Sequence, residues 1–143
     1  MTIIELTTLT ESRLQDLLGL MQELDPEIPV SAEILRQAVE NPYTHVFAAE
    51  AEGGEIIGTA SLCVFSSPTG KKAHVEDVVV SQAHRGEHIG RLLMEHLIGY
   101  ARQELGRVDI HLTSRPHRVA ANALYRSLGF QFKETNVYVL KLA

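Results

Sequence analysis

Apolar residues recur along this chain with two periods, and the switches between them mark its elements. Residues 2–7 alternate as a short strand. Leu14, Leu17, Leu18, Met21 and Leu24 follow at three- and four-residue steps, the stripe of an amphipathic helix, with Thr8 and Glu11 at capping-box spacing ahead of it. Residues 25–30, with two prolines, break the pattern. A second helix over residues 31–40 then places Ile34, Leu35, Ala38 and Val39 on one face, until Asn41-Pro42 stops it. Residues 43–51 alternate as a strand, EGGE supplies a turn, and IIGTASLCVF reads as the hairpin partner, ended by a loop SSPTGKK.

Strand, helix and strand follow in order in the second half: residues 73–80, residues 89–105 (Ile89, Leu92, Leu93, Leu97, Tyr100, Ala101) and residues 107–113. Pro116 suits the first turn of a further helix that is expected to bury Val119, Ala120, Ala123, Leu124 and Leu128, and Gly129 suits the left-handed position after its end. Two short strands, over residues 130–133 and 137–142, are expected to close the chain. The order β, α, α, β, β, β, α, β, α, β, β describes a mixed α/β layer structure, and nothing in the 143 residues reads as a linker, so residues 1–143 are expected to form one domain.

Composition narrows the function classes. Hydrophobic residues make up 45% and charged residues 22%, as in ordinary globular domains, and the formal charge is −5, the wrong sign for long-range attraction to nucleic acid or an anionic membrane. Any anion must therefore be held by a local site. No apolar run approaches the ~18 residues of a membrane helix, and MTIIELTTLTE lacks the basic-then-apolar order of a signal peptide. The single cysteine, Cys63, has no partner for an internal disulfide, which suits a reducing, cytoplasmic setting.

The segment VEDVVVSQAHRGEHIGRLL leads from a buried-looking strand through a short polar loop into a helix, and its loop carries Arg85, Gly86, His88, Gly90 and Arg91. Backbone N–H groups at a helix start lack intrahelical partners and lie at the positive end of its dipole, so phosphate oxygens can accept from several of them. Arg85 and Arg91 add charge, and Glu87 opposes it unless it points outward. The plainer alternative is a strand-to-helix connection with a glycine turn. Gly86 and Gly90 are too far apart for a dinucleotide fingerprint, and no Gly-Lys-Ser/Thr of a P-loop is present.

This segment resembles the acetyl-coenzyme A signature of the GCN5-related N-acetyltransferases (GNAT): Arg or Gln, two residues, Gly, one residue, then Gly or Ala. Arg85 and Gly90 match its ends and Gly86 the common Arg-Gly opening, while His88 replaces the central glycine; its ring either points to solvent or donates to phosphate. NALYRSLGF resembles the family's second marker. The resemblance implies a GNAT fold, a mixed but mostly antiparallel sheet flanked by about four helices. It also implies acetyl-coenzyme A as co-substrate, with no metal, bound by Val78, Val79 and Val80 through strand amides, by residues Arg85, Gly86, Glu87, His88, Ile89, Gly90 and Arg91, and by Asn122.

It further implies acetyl transfer to a primary amine. An alkylammonium, pKa near ~10.4, must lose a proton before attack, and Glu76 or its neighbour Asp77 is placed to take it; strict alternation would put these two on opposite faces. Tyr125 is the family-like proton donor to the leaving thiolate, on a helix where Arg118, Asn122 and Tyr125 share a polar stripe. The family's usual cofactor-contacting asparagine falls at Arg118, seven residues before that tyrosine. The acceptor, a small molecule or peptide amine, would be shaped by residues 24–30 and 135–138, whose surroundings hold Asp25, Glu27 and Glu134. The resemblance also allows a homodimer. A non-catalytic acyl-coenzyme A sensor and a protein N-acetyltransferase are the alternatives, and the other histidines show no metal-ligand spacing.

Overall fold

The computed structural model describes all 143 residues, and their contacts divide the chain into two compact units, Met1–Leu112 and Thr113–Ala143. The first unit is built on a five-stranded sheet in the order β1-β2-β3-β4-β5, with β1 (Thr2–Leu6), β2 (Thr44–Glu50), β3 (Ile56–Ser67) and β4 (Gly70–Val80) antiparallel and β5 (Ile110–His111) parallel to β4. Two helices, α1 (Glu11–Leu24) and α2 (Ala32–Glu40), precede β2, and α3 (Ile89–Tyr100) follows β4 and runs on into a π-helical turn over Ala101–Leu105. No helix is long and apolar enough to cross a membrane.

Period-two alternation sends β2 side chains to two different layers. Val46 and Ala48 join Leu6, Leu17, Leu20, Val39, Ile56 and Val79 in a buried cluster with α1 and α2. Phe47 points the other way, and its ring meets His96 and Tyr100 from the α3 segment. Each fully buried Leu or Phe in such a layer contributes on the order of 1.5–3 kcal/mol of transfer free energy. Gly58 permits the close seat of α3, because a Cβ there would lie 3.2 Å from both Ile89 Cγ2 and Leu93 Cδ1. The buried Thr59 hydroxyl is satisfied by donating to the Phe47 carbonyl at 2.8 Å.

Several expectations need correction. The cap of α1 is Thr10, whose side chain accepts from Arg13 N, not Thr8: β1 and a short bend use up the residues before it. The SSPTGKK loop shrinks to a tight turn, since β3 continues through Ser67 and β4 resumes at Gly70, where ladder pairing satisfies backbone groups that a loop would leave to water.

The second unit holds one helix, α4 (Val119–Ser127), which starts after Pro116 with Arg118 at its cap rather than at the proline itself. Gly129, at φ +100°, takes the expected place past its end, with Gly129 N donating to Arg126 O and Phe130 N to Tyr125 O at 3.0 Å. These two bonds are a Schellman termination. The strands expected over residues 130–133 and 137–142 do not form. Alternation alone cannot make a strand without a partner for its N–H and C=O groups, and Phe132, Val139 and Leu142 are exposed.

Candidate active site

The β4 strand has two unlike edges. Toward β3 it is paired from Gly70 to Val80, and Ser81 N still donates to Ile57 O at 2.8 Å. Toward β5 it is paired only at Ala73 and His74, so beyond His74 that edge faces no strand. Because successive amides of a strand point to opposite edges, the amides of Val78 and Val80 share the edge opposite to that of Ser81. The Val79 side chain is buried in the α1 layer, while those of Val78 and Val80 are half-buried. At the end of this edge the Arg85 Nε lies 3.5 Å from the Val80 carbonyl.

The register slips between Thr59 and Ser61, leaving Asp77 and Val78 opposite the single residue Ala60, and Asp77 adopts φ +53°. This β-bulge interrupts the regular alternation of β4 at Asp77 and Val78, the two residues that share Ala60 as their opposite number. Glu76 and Asp77 are both exposed. Glu76 pairs across the ladders with Ser61 and through it with Val46, which puts it on the α1–α2 face of the sheet. Nothing in the residue types signals the bulge, because a left-handed aspartate has no sequence mark of the kind that glycine gives.

After β4 a 3₁₀ turn (Gln82–His84) leads into the loop, and its first amide, Gln82 N, donates to Glu23 Oε1 of α1 at 2.8 Å. Arg85, Gly86, Glu87 and His88 are all exposed. Gly86 has φ +85° and open space where a Cβ would be, so the glycine is required by the turn itself rather than by crowding. Glu87, the residue of unhelpful charge, lies 3.3 Å from His84 Nδ1. His88 is the N-cap of α3 in a left-handed conformation, φ +62°, and its ring makes no capping bond.

The start of α3 is therefore uncapped by any side chain and has no acid in its first turn. Ile89 is buried against β3 and can offer only its amide, whereas Gly90 and Arg91 are half-buried, and Arg91 Nη1 contacts Glu95 at 3.2 Å. A twelve-residue helix opening this way, behind a loop that carries Arg85 and with Arg91 in its own first turn, fits a phosphate group. The neighbouring β4 edge fits an extended chain of amides. No three His, Cys, Asp or Glu side chains converge in a way that would hold a metal ion.

In the second unit Tyr125 is half-buried, and its ring meets Phe130 edge-on at 6.0 Å. Tyr125 and Phe130 are the two residues that the Schellman termination brings together, so the Leu-Tyr and Gly-Phe of NALYRSLGF are joined physically. Burial pushes the Tyr125 hydroxyl above the usual tyrosine pKa, and Arg118 offsets this in part. Asn122 turns its amide nitrogen inward, donating to Arg118 O at 2.7 Å and Arg115 O at 3.0 Å, which leaves its side-chain oxygen for any other partner.

A family model of the acetyltransferase (GNAT) family matches residues 10–130. The chain belongs to that family. It is 33% identical over 107 residues to the N-alpha-acetyltransferase RimI of Mycobacterium tuberculosis, an alignment that covers 75% of this chain and 63% of that protein. Among solved structures it is similar to a putative acetyltransferase from Agrobacterium tumefaciens, with a TM-score of 0.83 and 26% identity over 99% of this chain and 100% of the other. It shares the fold of the aminoglycoside N-acetyltransferase AAC(6')-Iy in complex with CoA, with a TM-score of 0.78 and 18% identity over 99% and 95% of the two chains. The chain spans less than two thirds of the length of RimI and about half that of several other curated relatives.

Proposed function

We propose that this protein is an N-acetyltransferase that moves an acetyl group from acetyl-coenzyme A to the primary amine of a small molecule or peptide. The observation that carries the proposal is the uncapped start of α3 beside an unpaired β4 edge. The pyrophosphate of the co-substrate is assigned to the amides of the loop from Arg85 to Gly90 and to Arg91, with Arg85 adding charge. Its amide-containing arm is assigned to the Val78 and Val80 amides, with the oxygen of Asn122 as a further contact. When bound, the co-substrate supplies an acetyl thioester.

The chain's own groups handle the protons. Glu76, with Asp77 as its alternate, takes the proton from the acceptor ammonium, directly or through water. Tyr125 is the proton donor to the departing sulfur, a role open to it because a tyrosine hydroxyl carries its proton at neutral pH. We take residues 1–143 as one catalytic domain, since the family match runs across the junction of the two units. The free Cys63 thiol accords with action in a reducing, cytoplasmic compartment.

Thiol release from acetyl-coenzyme A across a panel of amines tests the reading directly. Release that requires both substrates is expected, together with a rise in Tm on adding coenzyme A. Absence of any Tm shift at saturating coenzyme A would refute the binding site, and a shift without thiol release would leave a binding module only. Tyr125→Phe is expected to lower kcat by about a hundredfold, within the range for a lost general acid, with little change in coenzyme A affinity. Glu76→Gln should cost most at low pH, where the amine is most protonated; an equal loss at every pH would remove the base role.

A further inference from the structure

The sheet face beneath α1 and α2 is not uniformly covered. Under α1 the cross-strand row Ala48, Thr59 and Val79 is 0%, 2% and 5% exposed. Two rungs away, past Glu76, the row Thr44, Cys63, His74 and His111 is only half-buried, and Phe65, two residues beyond Cys63 on β3, is 47% exposed. Residues paired across a ladder share a face, as do residues two apart on one strand. Phe65, His74, His111 and Glu76 therefore stand on the same face.

Their rings form a continuous strip. Phe65 meets His74 at 5.3 Å between centroids and 46°, and His74 stacks on His111 at 5.5 Å and 25°. His74 with His111 is also the last rung of the β4–β5 ladder, so the strip begins where those strands part. Glu76 is the next residue of β4 on that face, one two-residue step of roughly 7 Å away. None of the three rings belongs to the buried clusters that hold the sheet to its helices.

We propose that Phe65, His74 and His111 form the acceptor subsite, taking the ring of an amine carried on a short arm from an aromatic group, with its ammonium turned to Glu76. This rests on the acetyltransferase reading above. Flat π faces attract other rings and cations, and the carboxylate beside them fixes which end of the acceptor is charged.

The test compares phenethylamine with butylamine, glucosamine 6-phosphate and an alanine-ended peptide in the thiol-release assay. Phenethylamine is expected to exceed butylamine at least tenfold in kcat/KM. Phe65→Ala and, separately, His111→Gln should reduce that ratio to within about twofold of unity, chiefly through KM. Turnover with no preference for phenethylamine, or a preference that both variants keep, overturns the proposal while leaving the acetyltransferase reading intact.

If no amine is turned over, NMR decides the matter independently. Ring-current shifts of the His74 and His111 imidazole protons on titrating the coenzyme A-loaded protein with phenethylamine, but not with butylamine, uphold the subsite where catalysis has failed. Unmoved imidazole signals overturn it.

Discussion

The helices of the first unit solve the same backbone problem in two ways. Every helix starts with amides that have no intrahelical partner. At α1 and α2 the chain answers this itself: Thr10 and Ser31, both in extended backbone, accept from Arg13 N and Ile34 N, and Glu11 and Glu33 place carboxylates in the first turns. At α3 the cap position holds a left-handed histidine with no capping bond, and no acid follows. The first two starts are closed and structural. The third is electrostatically open, and that difference, more than any single residue type, separates a helix that only packs from one suited to an anion.

This comparison breaks most easily at Arg91. Arg91→Glu gives α3 the first-turn acid that α1 and α2 already tolerate, so the fold should persist while coenzyme A affinity drops at least about tenfold by titration calorimetry, or ~1.4 kcal/mol. Unaltered affinity would mean that the α3 start is not where the phosphates lie. Thr10→Ala should do the reverse, costing about 1 kcal/mol in denaturant unfolding with no effect on coenzyme A binding. His88→Gly should be the mildest, gaining less than about 1 kcal/mol by relieving the left-handed backbone, because there is no cap to lose; a loss of stability there would show that the histidine ring has a structural task.

Alkaline titration sharpens the contrast in the second unit. The Tyr125 pKa is raised by burial above the ordinary 10.0, so its contribution to stability is whole below that value and is lost as pH climbs through the raised folded one. Tyr125→Phe should accordingly flatten the alkaline limb of the stability curve above about pH 10. Tyr100, raised by burial and by Glu5 and Glu104, should keep part of that limb in the variant.

What could be read from the chain, and what could not, follows from the range of the forces involved. The stripe of Leu14, Leu17 and Leu24 gives α1 because helical period is local, and the polar loop before Ile89 gives an anion-prone helix start because dipole and caps act within one turn. Thr10 displaced Thr8 as cap because the choice depends on where β1 ends. The bulge at Asp77 depends on the register with β3, which no short run of residue types reveals. His74 and His111, 37 positions apart and read from the chain only as histidines without metal-ligand spacing, become neighbours only through the β4–β5 ladder.

Sequence by itself determined the order of the elements from β1 to α4, the family and the loop that opens α3, because these rest on periodicity and on contacts within a few residues. Tertiary structure alone decided which edge of β4 is free, which face Glu76 shares and which rings line up beside it. Strand pairing and register are long-range choices, set by how whole layers pack rather than by any short run of residues.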